Sequence, residues 1–234
     1  PWYHLVDPPD DHAEEAQAFA VALRSAARGS AATLLELGSG AGHNAVHLKR
    51  ELRCTLVDIA AAMLARSQEL NPECEHVAGD MRSLRLRRAF DTVLVHDAVM
   101  YMTTEADLRA ALTTAFWHTR PGGAALFAPD CFRETFAEEA QVHGGDDGTR
   151  SLRTLAWSFD PDPADTTFVT EYAFLLRSGG DVRAVRDRHV EGLFPRETWV
   201  RILEEGGYRV GTTARPLGDG AFDEVFVCTR PLGP

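Results

Sequence analysis

Glu36-Leu37-Gly38-Ser39-Gly40-Ala41-Gly42 is the stretch whose reading decides the fold. The apolar run Ala32–Leu37 that leads into it reads as a buried strand, and a helix is expected directly after it. Three glycines at alternate positions let the backbone bend sharply and come close to a ligand. The N-terminus of the following helix adds free N–H groups and a positive dipole end. The dinucleotide fingerprint G-x-G-x-x-G would need glycine at position 43, where this chain has His43, so the pattern is Glu-x-Gly-x-Gly-x-Gly instead.

Working outward, strands and helices alternate. A helix is expected from about Asp11 to Arg28, with Ala16, Phe19, Ala20 and Leu23 on one face. After the glycines a helix runs to about Leu52, then a strand over Cys54–Val57 ends at Asp58. A helix spans Ala60–Leu70 and is stopped by Asn71-Pro72. Glu75–Ala78 and Asp91–Val95 read as strands, Glu105–His118 as a helix, Pro121-Gly122-Gly123 as a turn and Ala124–Ala128 as a strand. This alternation predicts an α/β fold, a doubly wound, mostly parallel seven-stranded sheet with helices on both faces.

Beyond Asp130 the rhythm changes. Residues 144–148 read as a loop, and Leu152–Phe159, Thr167–Leu176 and Val182–Gly192 as three antiparallel strands separated by turn clusters. The domain reading is therefore a cofactor-binding domain over 1–143 and 193–234, interrupted at 144–192 by an antiparallel insertion that caps the site or pairs with a second copy. A helix over Pro195–Glu205 and strands over Tyr208–Thr213 and Asp223–Thr229 close the chain.

Composition narrows the partners. The 234 residues carry a net charge of −11, and the 24 Lys and Arg are scattered, which argues against a nucleic-acid backbone. Cys54, Cys74, Cys131 and Cys228 have no metal-type spacing, and Cys54 and Cys228 lie in apolar runs as small core residues. No apolar stretch approaches the roughly 20 residues a membrane span needs. No signal-peptide pattern is read, so a cytoplasmic setting is expected. The chain starts at Pro1, and a preceding segment is expected.

The ordered set Glu36/Gly38/Gly40/Gly42, Asp58, Gly79-Asp80-Met81, Phe90–His96 and Arg120–Gly123 resembles the motif series of class I S-adenosylmethionine-dependent methyltransferases. Arg188–Phe194, Glu205–Tyr208 and the Gly-Asp-Met-Arg stretch at 79–82 resemble, more narrowly, actinomycete small-molecule N-methyltransferases that act on nucleotide-linked amino sugars. The Gly-rich ending of those enzymes is replaced by Gly218–Phe222. The resemblance implies S-adenosylmethionine as cofactor. It places Glu36, Gly38, Gly40 and Gly42 at the amino-acid end, Asp58 on the ribose, Ile59 and Met63 beside it, Asp80 and Met81 on the adenine, His96 against the donor and Tyr3 closing over the site.

The substrate is expected at the C-terminal ends of the strands. His96, Asp97, Asp130 and His189 are the catalytic candidates. Met100, Tyr101, Arg133, Tyr172 and Glu191 are the substrate candidates. No metal is expected, because His43 and His47, at i, i+4, have no acidic or cysteine partner nearby in sequence. The expected function is methyl transfer to an amine or hydroxyl of a small molecule, with antibiotic biosynthesis as the context and a homodimer expected. The alternatives are an NAD-type oxidoreductase and a non-catalytic nucleotide-fold binding protein.

Overall fold

The structure is a computed structural model that describes residues 2–217 and 222–233. Most of the Gly218–Phe222 replacement noted above, residues 218–221, lies outside the described residues.

The chain opens with two 3₁₀ turns, Tyr3–Leu5 and Pro9–His12, and α1 (Ala13–Ala26). The core follows as β1 (Thr33–Leu37), α2 (His43–Leu48), β2 (Arg53–Asp58), α3 (Ala61–Leu70), β3 (Glu75–Ala78), β4 (Phe90–His96), a 3₁₀ turn at Ala98–Tyr101, α4 (Glu105–His118) and β5 (Thr119–Ala128). After the insertion come α5 (Arg196–Glu205), β10 (Arg209–Pro216) and β11 (Phe222–Thr229). The seven strands are ordered β10-β11-β5-β4-β1-β2-β3. All pairs are parallel except those made by β11. Strand order reverses between β1 and β4, and there the strand ends open a crevice for a ligand.

Side chains alternate across each strand and so build two cores. Leu34, Leu56, Leu94 and Leu126 pack under Phe19 and Leu23 of α1. Leu35, Leu37, Val93 and Val95 face Leu108 and Leu112 of α4 and Trp199 and Ile202 of α5. Glu36 shares the α1 face with Leu34. Its carboxylate is thereby carried beneath that helix at the C-terminal end of the sheet.

Three expectations change. The helix after the glycines is short and ends at Leu48, because the chain must turn back for Arg53 N–H to donate to the Ala32 carbonyl at the start of β2. The Pro121-Gly122-Gly123 turn is absorbed as the irregular start of β5, where Gly122 has φ +74° and the pairing with β4 shifts register. The antiparallel insertion has four strands, not three: β6 (Glu139–Asp146), β7 (Arg150–Phe159), β8 (Thr167–Ser178) and β9 (Asp181–Gly192), paired in that order. It therefore begins at Glu139, and of the segment read as a loop residues 144–146 close its first strand while 147–149 make the turn.

Arg133 ties the two sheets together. Its guanidinium donates to the carbonyls of Pro163 (2.9 Å), Leu193 (3.1 Å) and Asp165. Its backbone N–H donates to Phe194. Met100, Phe168 and Leu193 form a small core at this junction. At the far end of the insertion, Leu5 packs with Leu152 and Leu176. The opening segment is thus strapped to the insertion and, through the bond from His47 to the Pro9 carbonyl, to α2.

Candidate functional site

The floor of the crevice is the glycine loop. Gly38, Gly40 and Gly42 have φ of +77°, +53° and +75°, a region that side chains rarely adopt. Space adds a second demand at two of them. A Cβ at Gly38 would lie 2.4 Å from the Ala98 Cβ, and one at Gly42 would lie 2.3 Å from the Ser67 hydroxyl. A Cβ at Gly40 would meet only Met63 at 3.6 Å, so that position is glycine for conformation and not for room.

Asp58, at the end of β2, holds the loop. Its Oδ2 accepts from Gly40 N–H and its Oδ1 from Ala60 N–H, both at 2.8 Å. Glu36 is 3% exposed, and its Oε2 has no hydrogen-bond partner. Burial pushes its carboxyl up to about 8. An acceptor left alone in a low-dielectric site is costly unless a cation or donor arrives. Beside the loop, Ile59 is 72% exposed while Met81 is buried. Asp80 accepts from Arg82 at both its N–H and its guanidinium. An exposed apolar side chain, a carboxylate edge and an unpartnered buried acceptor around a positive-φ loop fit the apolar ring, hydroxyls and ammonium of S-adenosylmethionine.

Above the loop, the ends of β4 and β5 carry a charge cluster. His96 is buried, and its Nε2 lies 2.7 Å from Asp97 Oδ1, 3.0 Å from Arg215 and 3.5 Å from Glu15. Burial alone would depress its imidazolium, but Asp97 and Glu15 lift it to about 9. On the other side of the ring, His96 Nδ1 lies 3.1 Å from Asn44 Nδ2, and the Asn44 amide oxygen is buried with no partner. Burial works to raise Asp97, yet His96, Asp130 and Arg215 hold it well below the ordinary carboxylate range. Burial and Asp97 push Asp130 the other way, well up. Both carboxylates are half-exposed although crowded by protein atoms, which is the situation of groups on the wall of a cleft. Asp97 also has φ +37°, rare for a residue with a side chain.

The insertion supplies the roof. Phe168, Thr170 and Tyr172 of β8 face Glu191, His189 and Asp187 of β9 across the ladder and share one side of the sheet. From that side His189 meets the Tyr101 hydroxyl at 2.9 Å and packs on Tyr172. Thr170 donates to Glu191 at 2.9 Å. The sequence nominees Tyr101, Tyr172, His189 and Glu191 are therefore brought together. Two others are not. Met100 is buried in the junction core, and the terminal nitrogens of Arg133 are engaged by backbone carbonyls, while its buried Nε has no partner.

The strap closes the near side. Tyr3 stacks on His43 with ring centroids 5.3 Å apart. Burial and Asp7 push its phenol up. The expectation about the histidines needs correction. His47 Nε2 bonds the Pro9 carbonyl, whereas His43 Nδ1 lies 3.0 Å from Asp7 Oδ2. An acidic partner does stand nearby, contributed by a segment 36 residues earlier. Sequence reasoning also missed Glu15, Arg215, Asp7 and His12. Only the His12/Glu15 pair, at i, i+3 in the first turn of α1, left a local signal.

Comparison with known proteins gives the family and the fold. Residues 34–123 match the methyltransferase domain family. The chain is 30% identical over 216 residues to the dTDP-3-amino-3,4,6-trideoxy-alpha-D-glucopyranose N,N-dimethyltransferase of Streptomyces venezuelae, covering 91% of this chain and 90% of that protein. The crystal structure of Streptomyces venezuelae DesVI superposes with a TM-score of 0.85 at 27% identity, covering 94% of this chain and 92% of that one. SAM-bound CalS10, an amino pentose methyltransferase from Micromonospora echinaspora involved in calicheamicin biosynthesis, superposes at 0.81 with 26% identity, covering 93% and 91%.

Proposed function

Because the chain belongs to the S-adenosylmethionine-dependent methyltransferases, we propose that its acceptor is the amino group of a nucleotide-linked amino sugar. The observation that carries the site assignment is the buried, unpartnered Glu36 carboxylate beneath a glycine loop held by Asp58. When bound, S-adenosylmethionine supplies a methyl group made electrophilic by its sulfonium.

In this reading Glu36 receives the cofactor's ammonium, Asp58 uses its remaining lone pairs on the ribose hydroxyls, Ile59 and Met63 flank the ring and Asp80 and Met81 border the adenine. His96, buried between Asp97, Arg215 and Asn44, orients these groups. A neutral amine needs no strong base. What it needs is alignment and a place for the proton that the methylated nitrogen sheds. The Asp97/Asp130 pair stands half-exposed on the wall of the recess beside Arg215 and passes that proton on to water, Asp97 being the member kept ionised. Tyr101, Tyr172, His189 and Glu191 line the acceptor side, and Tyr3 closes the near side.

The antiparallel sheet has a second role in the same proposal. Val142, Leu155, Trp157 and Leu175 share its outer face and are all exposed, which supports a homodimer through that face; sedimentation tests it. Free cysteines support a cytoplasmic setting. Among the described residues no helix is long and apolar enough to cross a membrane. The net charge of −11 supports a small-molecule acceptor over nucleic acid.

The test is incubation with S-adenosylmethionine and a dTDP-linked 3-amino sugar, read by mass spectrometry. A gain of one or two methyl groups on nitrogen is expected. Methylation of a hydroxyl, or turnover only with unrelated acceptors, would overturn the acceptor assignment.

A further inference from the structure

Asp7, His12 and His43 come from three separate places, a loop, the end of a 3₁₀ turn and the first residue of α2, and they converge. One ligand-capable atom from each lies within 4.8 Å of the others. The Asp7 carboxylate sits between the two imidazoles, 2.6 Å from His12 Nε2 and 3.0 Å from His43 Nδ1. The His43 side chain is only 5% exposed and that of His12 16%. We propose that these three residues form a divalent-metal site of the zinc type that clasps the strap of residues 2–12 to α2.

Two nitrogens and a carboxylate oxygen are a set that zinc accepts, with bonds of about 2.0–2.2 Å and a fourth position left for water. Tetrahedral ligands at that distance stand about 3.4 Å apart. The carboxylate and the His12 ring therefore need to part by less than about 1 Å for the ion to replace the proton they share. The far side of His12 is already prepared. Its Nδ1 meets Glu15 Oε1 at 2.8 Å, the carboxylate–histidine support that orients metal-binding imidazoles. Uptake displaces at least one proton, because the ligand atoms now hold it.

The strap is also held at its insertion end, where His4 lies 3.5 Å from Asp147, Arg150 covers the Trp2 ring and Trp2 and Val6 pack beside Leu5. His47 bonds the Pro9 carbonyl, Tyr3 stacks on His43 and Leu5 packs against the insertion. A metal at this point would fix the segment that covers the glycine loop, independently of any methyl transfer.

The full chain, stripped with a chelator, is titrated with Co²⁺ by visible absorption and with Zn²⁺ by calorimetry. One ion per chain is expected, with d–d bands and no sulfur charge-transfer band, which separates the site from Cys74 and Cys131. Zn²⁺ should also slow proteolysis between Trp2 and His12. Asp7→Asn and His43→Gln should abolish the bands. Glu15→Gln should weaken affinity about 10–100-fold while keeping the stoichiometry. Absence of saturable uptake by the unmutated chain, or bands that persist in Asp7→Asn, would overturn the proposal and leave the cluster a hydrogen-bonded clasp. The unmutated titration decides even if a variant fails to fold.

Discussion

The parallel sheet and the antiparallel insertion meet the same crevice from opposite sides, and they are built on opposite terms. In β1, β2, β4 and β5 nearly every residue is buried, because helices cover both faces. In β9 only Gly192 of twelve residues is buried, and β6 is exposed along almost its whole length. The first sheet is fixed by its core, so its strand ends can hold a buried carboxyl such as Glu36, whose Oε2 has no partner. The second is fixed by backbone pairing and by its seam with the first, so its side chains are free to change with the acceptor. The division to test is that one sheet governs the cofactor and the other the acceptor.

The largest expected effect lies in the first sheet. Asp58→Ala removes the acceptor of two N–H groups of the loop as well as the ribose partner. Charge-assisted bonds contribute about 1.5–3 kcal/mol each. Affinity for S-adenosylhomocysteine should fall at least 100-fold by calorimetry; a change under 3-fold would break the comparison.

Next is Glu36 and pH. Its folded carboxyl titrates at about 8, above its ordinary 4.5, so the neutral form is the one the fold keeps. That contribution is complete below about 4.5 and is lost as pH rises toward 8, at a slope of at most about 1.4 kcal/mol per pH unit. Ligand-free protein should therefore lose stability relative to Glu36→Gln across this window, and S-adenosylhomocysteine should bind near pH 7 with proton release, read as a buffer-dependent enthalpy. Parallel pH profiles for the two proteins would remove Glu36 from the ammonium role.

On the other side, His189→Ala breaks the Tyr101 contact and should raise the acceptor KM about 10-fold while leaving cofactor affinity within 2-fold. A matching loss of cofactor affinity would show the two sheets to be coupled. The smallest effect is Trp157→Ser on the outer face. At low protein concentration it should change stability by less than about 0.5 kcal/mol and leave both binding constants alone.

The same contrast explains what was legible in the sequence. Strands buried on both faces read as continuous apolar runs, and Glu36, the three glycines, Asp58 and Asp80 lie at strand ends within one local motif series. β6 could not be read, since Glu-Ala-Gln-Val-His-Gly-Gly-Asp has one large apolar residue and no alternation to mark a face. The seam was hidden too: nothing local to Arg133 says that its guanidinium caps three carbonyls from other segments. Glu15, Arg215, Asp7 and His12 reach the site only through tertiary closure. Arg215 meets His96 across 119 positions of sequence.

Asp97 leaves a last consequence. A side-chain-bearing residue held at φ +37° costs on the order of 1–3 kcal/mol that glycine would avoid. Its ion pairs offset that cost: the Asp97 carboxylate lies 2.7 Å from His96 and 3.7 Å from Arg215. Asp97→Gly relaxes the backbone but strands both partners, so it should lower the melting temperature, not raise it.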